Sequence, residues 1–185
     1  MHRPGSGSRA LKGPDGGYRH RGMRGGAADD DTEGIHMSHV EEYVEVNVPV
    51  RTAYNQWTQF EEFPIFMEGV ERIHQRTDTL THWVTNVNGV QREFDAQITE
   101  QLPDRRVAWM TVDGEARQAG LVTFQPIDAT TTKVVLHMNW VPDGLAESAA
   151  DKLGFVKRQV AGDLKRFKLY IESRGSETGA WRGEV

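Results

Sequence analysis

Residues 153–171 read LGFVKRQVAGDLKRFKLYI. Leu153, Val156, Val160, Leu164, Phe167 and Ile171 fall three and four apart, a spacing that gathers side chains into one stripe on a helix. Leu145 and Ala149 extend the stripe backwards, so the pattern predicts one long helix over about Leu145 to Glu172. Asp151, Lys157, Arg158, Asp163 and Lys165 are charged, are read as the opposite face, and are expected in water. Gly154 and Gly162 weaken the helix by about 1 kcal/mol each relative to alanine. An apolar stripe this long must be buried against a large partner.

The preceding residues supply that partner. Val40, Val44, Val46 and Val48 share one parity of an alternating run, the signature of a half-buried strand, which Pro49 ends. Val50 to Trp57 places Ala53 and Trp57 on one face of a short helix. A second short helix or turn runs through Phe60, Phe63, Phe66 and Met67, with Pro64 near its start, and Gly69 closes it. Six further strands are expected near Val70–Thr77, Thr81–Asn88, Val90–Gln101, Arg105–Asp113, Gly120–Pro126 and Thr132–Val141. Turn residues separate them, above all Asn88-Gly89, a strong short hairpin signal. Pro142-Asp143-Gly144 ends the last strand. Strands joined by tight turns make an antiparallel meander. The expected fold is therefore α+β and of helix-grip form. A seven-stranded curved antiparallel sheet surrounds the long C-terminal helix, and two short helices follow strand 1. Those two short helices can cover one open end and leave an apolar cavity, the usual setting of a ligand site.

Several stretches resemble the START-like (SRPBCC) superfamily of polyketide cyclase/dehydrase and lipid-transport domains, including coenzyme Q-binding START proteins. They are Trp57-Thr58-Gln59-Phe60-Glu61-Glu62-Phe63-Pro64-Ile65-Phe66-Met67-Glu68-Gly69-Val70, Val107-Ala108-Trp109, Gly120-Leu121-Val122-Thr123-Phe124 and Thr132-Lys133-Val134. Pro49 after the first strand and Trp57 in the first helix fit the same pattern. The likeness runs from about Ser38 to Arg174 and implies the helix-grip fold. The superfamily includes catalysts, carriers and receptors, so fold alone does not choose among them.

Composition narrows the function. There is no cysteine, hence no disulfide, thiolate nucleophile or cysteine-built zinc site. The net charge of −5 disfavours a general nucleic-acid binder, and no apolar run reaches the roughly 18–20 residues of a membrane span. The N-terminus has no apolar signal-peptide core, so the expected location is cytoplasmic. Residues 1–36 hold nine of the nineteen glycines and few large apolar side chains. Such a composition cannot offset its ordering entropy, and it predicts a disordered Gly/Arg-rich tail, with Met37 as an alternative start. Residues 37–174 form the ligand-binding domain. Residues 175–185 read as a polar, frayed tail onto which Trp181 has the bulk to dock.

No nucleophile elbow, phosphate loop or dinucleotide fingerprint is present. The histidines lack metal-ligand spacing, so neither metal nor cofactor is expected, and no pattern specifies an oligomer. The run Asp29-Asp30-Asp31 reads as a solvated charge cluster. Polar residues on apolar faces remain. Arg92 shares the inward parity of Phe94, Ala96 and Ile98, where its planar fork of donors suits a carboxylate, quinone oxygen or enolate; the alternative is pairing at the sheet edge or snorkelling from the rim. In the aromatase/cyclases that the sequence resembles, a cavity arginine holds polyketide oxygens, and Arg92 is similar in placement. Trp83, Val87, Val122, Phe124, Val134, Leu136, Met138 and Trp140 have inward parity. In the fifth strand either Val107, Trp109 and Thr111 or Ala108, Met110 and Val112 face in. The expected ligand contacts are Trp83, Arg92, Phe94, Met110, Phe124, Met138, Trp140, Val156 and Val160. Arg92 and Tyr54, the latter at the cavity mouth, are the catalytic candidates. His82 and His137 fall on the outward parity.

Three functions compete. The first is carriage of a hydrophobic small molecule such as a lipid, isoprenoid quinone or polyketide. The second is an aromatase/cyclase that folds a poly-β-keto chain for aldol closure and dehydration. The third is a protein-interaction module.

Overall fold

The computed structural model describes residues 37–141 and 149–185. Strand β1 (Ser38–Val46) leads into helix α1 (Val50–Trp57) and a 3-10 turn (Phe60–Ile65). Strands β2 (Val70–Gln75), β3 (Leu80–Val87), β4 (Val90–Leu102), β5 (Arg106–Gly114), β6 (Gln118–Pro126) and β7 (Thr132–Trp140) follow, and then helix α2 (Ala149–Arg174). All seven strands form one antiparallel sheet in the order β1-β7-β6-β5-β4-β3-β2. This is the helix-grip architecture that the periodicity implies. Leu145, the Pro142–Gly144 turn and the side chain of Ala149 lie outside the described residues.

Local chemistry explains the element ends. Pro49 sits just before α1, where a missing N–H costs nothing, and its carbonyl accepts from Ala53 N–H at 3.1 Å. The second short helix is a 3-10 turn because Pro64 lies inside it and cannot donate to an α-helical ladder. Asn88 and Gly89 both take positive φ, 54° and 80°, as a two-residue type I′ hairpin demands. They join Val87 directly to its partner Val90.

Strand β4 slips register against β5 twice, between Asp95 and Ala96 and between Ile98 and Glu100. Bulges of this kind bend a strand and sharpen its twist, which helps the sheet to curl around α2. The second slip also reverses side-chain parity, so Gln101 turns inward and is only 1% exposed.

The helix buries Val160, Leu164, Phe167 and Ile171. Each such side chain is worth roughly 1.5–3 kcal/mol when taken out of water. Leu153 leaves the expected stripe and is exposed. Asp163, expected in water, is buried.

Residues 175–185 are not frayed. Gly175 takes φ +70°, and the chain beyond it lies against α1 and the β4–β5 turn. Thr178 N–H donates to Gln56 Oε1 at 3.0 Å and Trp181 N–H to Thr58 Oγ1 at 3.1 Å. Arg182 forks onto Asp104 at 2.9 and 2.7 Å, and Val185 pairs with Gln101 through the backbone. Among the described residues no helix is long and apolar enough to cross a membrane.

Candidate ligand cavity

The two ends of the grip are filled differently. Near α1 the interior is solid. Trp57 lies 5.0 Å from the Phe167 ring, 5.5 Å from Phe63 and 6.2 Å from Phe124, each edge-on. Tyr54 meets the Phe124 ring at 5.6 Å. The short helices therefore plug one end, and the opening lies at the other.

There a cavity of about 630 Å³ lies between the sheet and the N-terminal half of α2. Trp83, Arg92 and Phe94 line it from β3 and β4, Met138 and Trp140 from β7, and Val156 and Val160 from α2. Trp83 and Phe94 stack at 5.8 Å, nearly parallel. The Trp83 indole N–H donates to Thr81 Oγ1 at 2.8 Å, which in turn donates to the Ala96 carbonyl at 3.0 Å. That chain satisfies the indole and fixes its plane as one wall. Thr85 and Arg92 are direct cross-strand partners, so both polar groups enter from the same level of the sheet. Arg92 is half-buried.

Two expected contacts, Met110 and Phe124, and the catalytic candidate Tyr54 lie elsewhere. Met110 is 48% exposed on the outer face, because Val107 and Trp109 form the inner set of β5. Gly120 allows this arrangement: a Cβ there would fall 2.1 Å from the Trp109 ring, so the indole lies across a strand that offers no side chain. Phe124 is buried in the solid end against Tyr54 and Trp57 and does not line the cavity. Tyr54 is fully buried in that same end, not at the mouth. Its burial pushes the phenol's pKa upward, opposite to what a neutral-pH proton donor needs.

Asp163, expected in water, belongs to the site. It lines the cavity, and burial pushes its carboxyl up to about 6, against the lowering pull of the Glu68 N–H and of Arg166. Glu68 N–H donates to Asp163 Oδ1 at 2.8 Å, and Arg166 pairs with the same oxygen. Gln159 Nε2 donates to the Glu68 carbonyl at 2.7 Å and Arg166 Nε to the Phe66 carbonyl at 3.0 Å. Three α2 side chains thus hold the rim segment 66–69. Gly69, at φ +85°, brings that rim against α2, where a Cβ would stand 3.0 Å from Gln159. The signal for Asp163 was present in its spacing, three after Val160 and four before Phe167. His82 and His137 lie on the outer face, as their parity requires. His82 Nδ1 sits 2.6 Å from Asp95 and His137 Nδ1 3.2 Å from Glu41.

Residues 46–168 match a family model described as polyketide cyclase / dehydrase and lipid transport. A 17.2 kDa protein of Streptomyces lincolnensis, itself uncharacterised, is 70% identical over 149 residues, covering 80% of this chain and 99% of its own. The ZhuI aromatase/cyclase of Streptomyces sp. R1128 superposes with a TM-score of 0.63 at 17% identity, over 79% of this chain and all of its own. A START superfamily protein of Mycobacterium smegmatis gives 0.57 at 16% identity, over 74% of this chain and 95% of its own. These two structural likenesses concern the fold.

Proposed function

Because the chain belongs to the polyketide cyclase / dehydrase and lipid transport family, we propose that its cavity receives a poly-β-keto chain and promotes aldol closure and dehydration. One observation carries this reading. An apolar cavity of about 630 Å³ has polar groups on opposing walls, Arg92 and Thr85 on the sheet and Asp163 on the helix. Apolar walls fold the chain, and orientation alone supplies much of the rate in such closures. Asp163 takes a proton from a methylene between two carbonyls, a task suited to a base poised near neutrality. The enolate carbon attacks a more distant carbonyl of the same chain, and the new alkoxide takes up the proton that Asp163 removed. Loss of a neighbouring C–H proton and of the hydroxyl as water introduces a ring double bond, and enolisation of the remaining ring ketones completes the aromatic ring. The Arg92 guanidinium faces the charge that develops on oxygen, where fixed donors matter most.

The test is turnover of a short synthetic poly-β-ketone thioester, followed by absorbance and by mass spectrometry of the product. Catalysed loss of water that falls at least about a hundredfold in Arg92→Ala supports the proposal, and full turnover in that variant refutes the role of Arg92. Carriage of a lipid, isoprenoid quinone or finished polyketide is the second reading, favoured by the mostly apolar lining. A stoichiometric ligand recovered from the native protein, without turnover of the thioester, selects it.

A further inference from the structure

On the outer face of the sheet, opposite the face that lines the cavity, β1 and β7 place three ligand-bearing side chains together. Glu41 and His137 are direct cross-strand partners, and His39 stands two residues before Glu41 on the same face. One donor atom from each of the three lies within 4.8 Å of the others. The two imidazoles are stacked, with ring centres 6.1 Å apart. We propose that His39, Glu41 and His137 bind one divalent transition ion of the zinc class.

The donor set fits that ion. Two imidazole nitrogens and one carboxylate oxygen are borderline ligands, preferred by zinc, cobalt or nickel over magnesium or calcium. Tetrahedral zinc at bond lengths of about 2.0–2.1 Å holds its donors about 3.3 Å apart. Rotation of exposed side chains closes the remaining gap, since His39 and Glu41 are exposed and His137 is half-buried. The fourth position is left for water. The supporting contact is also in place: Asn139 Oδ1 lies 2.9 Å from His39 Nδ1. In the tautomer that carries its proton on Nδ1, that oxygen, the usual outer partner of a metal-binding histidine, accepts it, and the Nε2 lone pair is left for a metal. The ligands sit on strands far apart in the chain, so sequence spacing hides them. An ion held there would pin β1, an edge strand, to β7.

The experiment uses the full chain, stripped with chelator and titrated with Zn²⁺ by calorimetry and with Co²⁺ by visible absorbance. One equivalent is expected, with the intense bands of four-coordinate cobalt. Melting temperature should rise by roughly 5–10 °C at a hundredfold excess over Kd. His137→Ala should lose that equivalent, or at least about a hundredfold in affinity. Glu41→Gln keeps the side chain's shape and covers the case in which His137→Ala folds poorly; it too should bind weakly. His74→Ala, a histidine paired with Glu61 elsewhere on the surface, should bind as the parent does. Binding unchanged in both His137→Ala and Glu41→Gln, or no binding by the parent chain, overturns the proposal.

Discussion

The two ends of the grip share one sheet and one helix, yet one is solid and the other hollow. At the solid end α1, the 3-10 turn with the residue after it, β6 and α2 bring together Tyr54, Trp57, Phe63, Phe66, Phe124 and Phe167, whose rings meet edge-on or tilted. At the hollow end α2 turns Phe155, Val156 and Val160 towards a cavity that Met138 and Trp140 line from β7. One sheet and one helix thus make a core where rings meet across the interior and a container where they do not. Solid and hollow ends should then answer substitution differently.

The largest effect is expected at Trp57. Trp57→Ala deletes a side chain that is 1% exposed and leaves a hole bounded by four other rings. The loss of stability should be about 3–5 kcal/mol, read by urea unfolding. A cost under about 1 kcal/mol would mean that this end is as loosely filled as the other.

The next effect concerns the group that bridges cavity and rim. Folding raises the Asp163 carboxyl from 3.8 to about 6, so the folded state holds this proton more tightly than the unfolded state does. The stability it contributes is fully present below about 3.8 and is lost as pH rises through 6. The loss is on the order of 3 kcal/mol. Asp163→Asn has no proton to release and should lack that fall between pH 4 and 7. Parallel stability curves for variant and parent across that window would show that Asp163 titrates normally.

Elements with strong local signals were legible in the sequence. Valine alternation gave β1, Asn88-Gly89 gave the β3–β4 hairpin, and three-four spacing gave the apolar face of α2. What stayed hidden depends on contacts between segments. The slip after Ile98 turned Gln101 inward, a change no alternation count detects. Trp109 lies inward because Gly120 sits opposite it, so Met110 faces out. Tyr54 and Phe124 look like cavity lining by type and parity, but α1 brings them together at the solid end. Asp163 reads as solvent-facing by charge, although its position on the helix is inward.

At the hollow end, enlarging a side chain should act on binding more than on stability. Val156→Trp fills space that is already open, so stability should change by less than about 2 kcal/mol in either direction. Uptake of a hydrophobic probe, followed by fluorescence, should fall at least tenfold. Undiminished uptake would move the binding site away from this cavity.

The smallest effect tests whether the solid end is sealed from outside as well as filled from within. Arg182 forks onto Asp104, donates to Asn55 Oδ1 at 2.9 Å and lies 5.7 Å from the Tyr54 ring centre. Asp104 itself holds a positive φ of 62° in the β4–β5 turn, a conformation that asparagine and aspartate tolerate better than most residues. The fork therefore ties segment 175–185 to a turn with little freedom of its own. Because the pair is partly solvated, Arg182→Ala should cost only about 1 kcal/mol globally. Its local effect should be larger: the Gln101 and Val185 amides, now paired with each other's carbonyls, should exchange with solvent faster, while amides of β6 and β7 stay protected. Equal acceleration across all these strands would show that the segment is integral to the core; unchanged exchange at Gln101 would show that Arg182 is not what holds it.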